Sequence, residues 1–305
     1  MKIKLIIFLI IVTPILTIAQ TDIQTSQHMF NRTTYNPAVT GASRFLNIYG
    51  HWRDQWQGFP DAPQTMYLTA NSYFEQIKSG LGLTLLKDKI GFERNILFKI
   101  SYAYHVHLST NSYLSLGLSA GALNINVDWA KKQLEEPNPN LPNEMENKWT
   151  ANFDFGIEYN MERFTAGLSA THLNRVLKKD IYNTMGHHLY GYVKYKFELG
   201  VDFELTPALF AQNSKKSTHI EGNLLLHYRN KAWVGASYRA DEKLKSEAVV
   251  GIIGIDLMNF LRIGYSFDYN IGEIGKYSNN THEIMLGIRL ARVHKIYSKS
   301  PRFFE

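Results

Sequence analysis

The chain has 305 residues, 45% of them hydrophobic and 13% aromatic, which is ample apolar material for a large fold. It contains no cysteine, which excludes a disulfide framework and any thiolate zinc or redox site. The formal net charge of +6 raises nucleic acid as a partner, but the Lys and Arg residues form neither a basic helix nor an aromatic-interleaved recognition motif, which argues against it.

In chain order, Lys2 and Lys4 precede an apolar run from Leu5 to Leu16 that is too short to span a bilayer comfortably. Thr17-Ile18-Ala19 supplies small residues for a cleavage site, so 1–19 reads as a signal peptide and the mature chain as starting near Gln20. No Cys follows it, which excludes a lipoprotein anchor. Residues 20–43 then form a segment placed to plug a lumen or dock a periplasmic partner. Strand patterns follow at 44–52, 65–74, 79–88, 95–106, 112–124, 150–159, 164–173, 187–198, 206–211, 218–228, 232–240, 247–257, 260–270 and 281–290. Pro207 suggests a strand start or a bulge. The last stretch, 291–305, is a basic tail with Arg292, Lys295, Lys299 and Arg302 beside Phe303 and Phe304, read as a periplasmic contact or a solvated tail.

The alternation within these segments has period two. Phe98, Ile100, Tyr102, Tyr104 and Val106 take one face, and Lys99, Ser101, Ala103 and His105 the other. Leu261, Ile263, Tyr265, Phe267 and Tyr269 alternate in the same way with Arg262, Gly264, Ser266 and Asp268. A soluble sandwich shares this pattern. The export signal, the aromatic residues at strand ends and the order of the connections decide against it. Counted from the N-terminus, the odd connections are 53–64, 89–94, 125–149, 174–186, 212–217, 241–246 and 271–280, whereas most even ones are tight turns such as Ser109-Thr110-Asn111. Long outer loops and short periplasmic turns characterise outer-membrane barrels. The expected fold is therefore all-β, a transmembrane antiparallel outer-membrane β-barrel of about fourteen strands over 44–290, with both termini periplasmic. Lys131, Lys132, Lys178, Lys179, Lys215 and Lys216 fall in the outer loops, where they meet either solvent or phosphates of outer-membrane lipid.

Just after the signal come Ser26-Gln27-His28-Met29-Phe30-Asn31, Tyr35-Asn36-Pro37-Ala38 with Gly41, Arg53-Asp54-Gln55-Trp56-Gln57-Gly58-Phe59 and Ala62-Pro63-Gln64-Thr65. Later pieces are Leu168-Ser169-Ala170-Thr171-His172-Leu173, Trp233-Val234-Gly235-Ala236-Ser237-Tyr238-Arg239 and Thr281-His282-Glu283-Ile284-Met285-Leu286-Gly287. In order and spacing this series resembles the PorP/SprF family across the whole mature chain. The resemblance implies an outer-membrane barrel of Bacteroidota that works with the type IX secretion and gliding-motility apparatus, as a core component or as an accessory for large surface adhesins. His28 stands where the family carries an aromatic, and Asn31-Arg32-Thr33 lacks the family's proline. Tyr35, Asn36, Pro37, Arg53, Trp56, Gly58 and Pro63 are the motif residues singled out for interaction. The alternative is that they only close the barrel.

Gly117-Leu118-Ser119-Ala120-Gly121 fits a nucleophile-elbow pattern, but it lies in mid-strand rather than at a strand-to-helix turn. His105 and His107 share a face and His187-His188 opens a strand, without further ligands to complete a metal site. Neither a catalytic centre nor a cofactor is expected. Lys99, Glu221, Arg239, Arg262, Asp268, Glu283 and Arg289 share the inward face and form a candidate transverse charge network, able to line a channel or hold a plug. The leading function is a secretion accessory binding type IX components or an adhesin client. The alternative is a passive porin or a small-molecule or lipid uptake channel, and a barrel hydrolase built on Ser119 is third.

Overall fold

The computed structural model describes residues 24–43, 45–131, 144–176, 186–214, 217–229, 231–258 and 260–291. The signal-peptide reading, Lys132, Lys178, Lys179, Lys215, Lys216 and all but Ala291 of the basic tail lie outside the described residues.

Strands follow one another as β1 (Leu46–Asp54), β2 (Gln64–Phe74), β3 (Ser79–Ile90), β4 (Glu93–Ser109), β5 (Ser112–Asp128), β6 (Met145–Met161), β7 (Phe164–Thr171), β8 (His188–Tyr195), β9 (Phe197–Leu199) and β10 (Phe203–Ser214). The rest are β11 (Thr218–Tyr228), β12 (Ala232–Asp241), β13 (Ser246–Leu257), β14 (Leu261–Asn270) and β15 (Thr281–Leu290). Each pairs antiparallel with its sequence neighbour, except that β8 and β9 both pair with β10, and β1 pairs with β15 from Leu46 opposite Leu290 to Asp54 opposite His282. That last ladder closes the sheet on itself, which removes its edges.

Proline explains why fifteen segments make fourteen spans. Leu205 faces Phe197 and Ala208 faces Lys194, so the register is the same on both sides of Pro207. Pro207 has no N–H to give, and the ladder lapses opposite it. β8 and β9 are thus one span, and the chain is a closed barrel of fourteen antiparallel strands. Pro207 lies inside β10, which runs from Phe203 to Ser214 rather than over the expected 206–211. The connection expected at 89–94 shrinks to Gly91-Phe92, because β3 and β4 stay paired out to Ile90 opposite Glu93.

Connections at one end reach 55–63, 129–144, 172–187 and 271–280, whereas those at the other end never exceed four residues. Leu46 and Leu290 both lie at the short-turn end. Burial follows the alternation. On β4, Ile96, Phe98, Ile100, Tyr102 and Tyr104 are exposed, while Lys99, Ser101, Ala103 and His105 are buried. A polar inner face and an apolar outer belt suit a barrel solvated by lipid. Ile100, 54% exposed in mid-strand, tests the solvent directly. Ile100→Arg should cost about 2–4 kcal/mol of folding free energy in phospholipid vesicles, the depth-dependent cost of a cation on a lipid-facing strand. Urea titration in vesicles measures it, and a surface in water would lose almost nothing.

The lumen is filled at its waist. Residues 24–43 enter it as a turn and two single 3-10 turns, η1 (Arg32–Thr34) and η2 (Pro37–Val39). Met29 and Phe30 pack on inward Tyr49, Leu225, Trp233, Val250, Ile252 and Met285, and Tyr35 packs with Tyr190, Tyr192 and Phe210.

Candidate functional site: the plug and its charge cage

The plug is shaped by its own sequence and seated by gaps in the wall. Pro37 opens η2 with its ring-fixed φ, and Asn36 caps it by accepting from the Ala38 N–H at 2.9 Å. Asn36 Nδ2 also donates to the Ile157 carbonyl at 3.2 Å and to the Tyr192 hydroxyl at 3.0 Å. Inward glycines make the room. A Cβ on Gly117 would lie 2.1 Å from Ala38 N, one on Gly156 2.0 Å from Asn36 Oδ1, and one on Gly80 1.9 Å from the Thr40 carbonyl. Those glycines, on β5, β6 and β3, form the seat of η2.

Around the start of the plug lies a cage of buried charges. Arg53 bonds Glu283 at 3.1 Å and Asp268 at 2.8 Å; Arg239 bonds Asp268 at 3.1 Å and Glu221 at 2.7 Å. Ser26 sits among them: its N–H donates to Glu283 at 2.8 Å, and its hydroxyl donates to Asp268 at 2.7 Å while accepting from Arg53 at 2.9 Å. The Gln27 N–H reaches Glu283 at 3.1 Å, and His28 meets Glu221 at 3.3 Å while stacking on Phe210. His51 lies 3.5 Å from Glu283. Charges this deep persist only when paired and hydrogen-bonded. Here, part of that pairing comes from the plug's own backbone.

Two further anchors hold the middle of the plug. Arg32 forks onto Glu158 at 3.0 and 3.3 Å, and Tyr192 donates its hydroxyl to the same carboxylate. Lys99 bonds Asp154 at 2.7 Å and the Thr34 carbonyl at 3.2 Å, while Ser119 donates to Asp154 at 2.7 Å. The Ser119 hydroxyl therefore faces a carboxylate with no imidazole between them, unlike the relay that activates a catalytic serine. His105 contacts the Thr40 carbonyl at 3.0 Å and Ser115 at 2.7 Å, and no cluster of three or more metal-ligating side chains occurs among the described residues.

The inward charges singled out in the sequence separate into distinct places. Glu221, Arg239, Asp268 and Glu283 come together with Arg53, whereas Lys99 joins Asp154 on another wall. Arg262 pairs with Asp256 at 2.7 Å near the short turns, and Arg289 lies over the Phe45 ring. Of the motif residues, Tyr35, Asn36 and Pro37 belong to the plug. Trp56, Gly58 and Pro63 lie in the 55–63 loop, where Trp56 and Gly58 have positive φ and the Trp56 N–H donates to Thr281 at 3.1 Å. The Gln57 N–H donates to the Asn280 carbonyl at 2.8 Å, tying the first long loop to the last. In the same rim, Lys131 bonds Asp61 and holds its carboxyl below the ordinary range.

Sequence reasoning missed Ser26, Arg32, His51, Asp154, Glu158 and Tyr192. Asp154 and Glu158 could have been found, since they share inward parity with Asn152 and Gly156 on β6. Ser26 and Arg32 could not, because the plug has no strand period to assign a face.

Above and below the plug the lumen widens. A cavity of about 390 Å³ opens at the long-loop end beside Gln24, Trp56 and His219, and one of about 560 Å³ at the short-turn end beside Phe30 and Arg262. Next to His28 and Tyr35 lies a cavity of about 40 Å³.

Residues 17–288 match the family model described as type IX secretion system membrane protein PorP/SprF. No curated protein matches the sequence. Among solved structures, the chain is similar to the outer membrane protein Omp33 of Acinetobacter baumannii, at 10% identity and TM-score 0.47, covering 81% of this chain and 98% of that one. It is also similar to the CymD monoaromatic hydrocarbon channel, at 12% identity and TM-score 0.49, covering 89% and 94%. A third is the toluene transporter TbuX of Ralstonia pickettii, at 9% identity and TM-score 0.48, covering 90% and 95%.

Proposed function

The chain belongs to the type IX secretion system membrane protein PorP/SprF family, and from that premise we propose that it assists export or surface retention of adhesin-type client proteins of the gliding-motility apparatus. The short-turn end faces the periplasm and the secretion machinery, and the long loops face the cell exterior. A signal peptide at 1–19 delivers the chain to the outer membrane.

The observation that carries this reading is the plug. Residues 24–43 fill the waist and are anchored on every side by buried charges and by glycines with no room for a side chain. A passive porin or uptake channel needs a continuous wet path. The cavity of about 40 Å³ beside His28 has room for only a few waters. Such a barrel serves as a rigid scaffold whose two rims are the working surfaces. The motif loop around Trp56, Gly58 and Pro63 braces the outer rim.

Deleting the gene in its host and comparing surface and cell-associated proteins by mass spectrometry tests the proposal. Loss of one large adhesin from the surface, with other secretion intact, is the expected result. Unchanged surface proteins with altered uptake of small solutes would reverse the assignment in favour of the channel.

A further inference from the structure

The 560 Å³ vestibule at the short-turn end is lined by five cations, Arg32, Lys194, Lys196, Arg262 and Arg289, and by two carboxylates, Glu204 and Asp256. Three of the cations are engaged: Arg32 with Glu158 at 3.0 Å, Lys196 with Glu204 at 3.3 Å and Arg262 with Asp256 at 2.7 Å. Among the described residues, Arg289 has only the face of Phe45, at 5.5 Å. Lys194 has no hydrogen bond, ion pair or ring partner among the described residues.

The position of Lys194 is specific. It points inward from β8, opposite Ala208 on β10, whose methyl group leaves the space in front of it open. Cations outnumber carboxylates five to two in the lining, and that balance favours an incoming anion. Glu158 and Glu204 act on the Lys194 ammonium from beyond ion-pair distance, and a carboxylate entering the vestibule supplies the direct counter-charge that they do not. Phe30, Tyr49 and Phe260 line the same space and suit apolar side chains. The vestibule is bounded by inward-facing side chains and opens along the barrel axis to water, so its ligand arrives from solution rather than sideways from the bilayer.

We propose that this vestibule binds the free C-terminal carboxylate of an extended, apolar peptide, with Lys194 as the principal counter-charge. Arg289 supports it from the facing wall. The source of that peptide, the end of a client or of a machinery protein, rests on the function proposed above; the binding itself does not.

The experiment is calorimetric titration of the full-length chain in detergent micelles with acetyl-Ala-Phe-Leu-Phe as the free acid and as the C-terminal amide. The free acid should bind about tenfold more tightly, the scale of one charge-assisted contact. Lys194→Met should remove the difference between acid and amide, and Lys194→Arg should keep it. Because Lys194 has no partner to orphan, both variants should retain the parent's melting temperature, which checks that they fold. Equal binding of acid and amide, no binding of either, or displacement of the peptide by equimolar inorganic phosphate would each overturn the proposal. The titration uses purified protein and the secretion test uses cells, so failure of one is distinguishable from failure of the other.

Discussion

Arg53→Met should lower the stability of the barrel by about 3–5 kcal/mol, the cost of removing one partner from a buried ion pair. Arg53 is 2% exposed and joins Glu283 and Asp268, neither with any exposure. Methionine keeps much of the volume but leaves Asp268 with Arg239 as its remaining cation and Glu283 with the plug's N–H groups and His51. Both carboxylates also bond Ser26, so the loss spreads to the plug. Urea unfolding in vesicles, with heat-modifiable migration on gels as a second readout, measures the effect. Arg163→Met is the surface control: its pair with Glu198 is 45% and 61% exposed and should contribute about 1 kcal/mol or less. A loss at Arg53 no larger than at Arg163 would mean that the cage does not hold the fold.

Gly117→Leu should expel the plug while leaving the wall intact. A Cβ there lies 2.1 Å from Ala38 N and 2.3 Å from the Pro37 carbonyl carbon, and both are backbone atoms that cannot rotate aside. The wall can accept the residue, since leucine suits a strand whose neighbours on β4 and β6 are unchanged. The segment 24–43 is what must move. Single-channel recording in planar bilayers should show a near-silent parent and a variant with stable open conductance, accompanied by protease cleavage within 24–43. Gly50→Leu, where an added Cβ meets nothing within 4 Å, should conduct no better than the parent. A silent Gly117→Leu barrel would show that the lumen stays blocked without the seat of η2.

The barrel was legible because lipid on one face and a polar lumen on the other write period two into every span. Ile100 and Lys99 can be assigned to opposite faces from their neighbours alone. Boundaries were less legible. β6 reaches back to Met145, beyond the expected start at 150, because pairing with β5 continues past the last residue that pairs with β7. Inward charges were visible as types but not as partners: parity marks Lys99 and Glu221 as facing in, and only the curvature of the sheet decides that Lys99 finds Asp154. His28, where the sequence reading expects an aromatic, stacks on Phe210 and bonds Glu221, uniting an aromatic role with a polar one. The path of the plug followed from no periodic signal, only from the turn chemistry at Asn36-Pro37.

One placement bears on how the molecule is made. Arg53 stands on the first strand and Glu283 on the last, they face each other across the ladder that joins the two, and Ser26 bonds both. That ladder links the residues farthest apart in the chain, so its closure carries the largest loop entropy and belongs late in assembly. Ser26 and Gln27 supply N–H groups to a glutamate that the meeting of these strands buries. The segment inside is therefore a mandrel: the sheet curls around it, and the clasp that fastens the cylinder is partly made of the core on which it is wound.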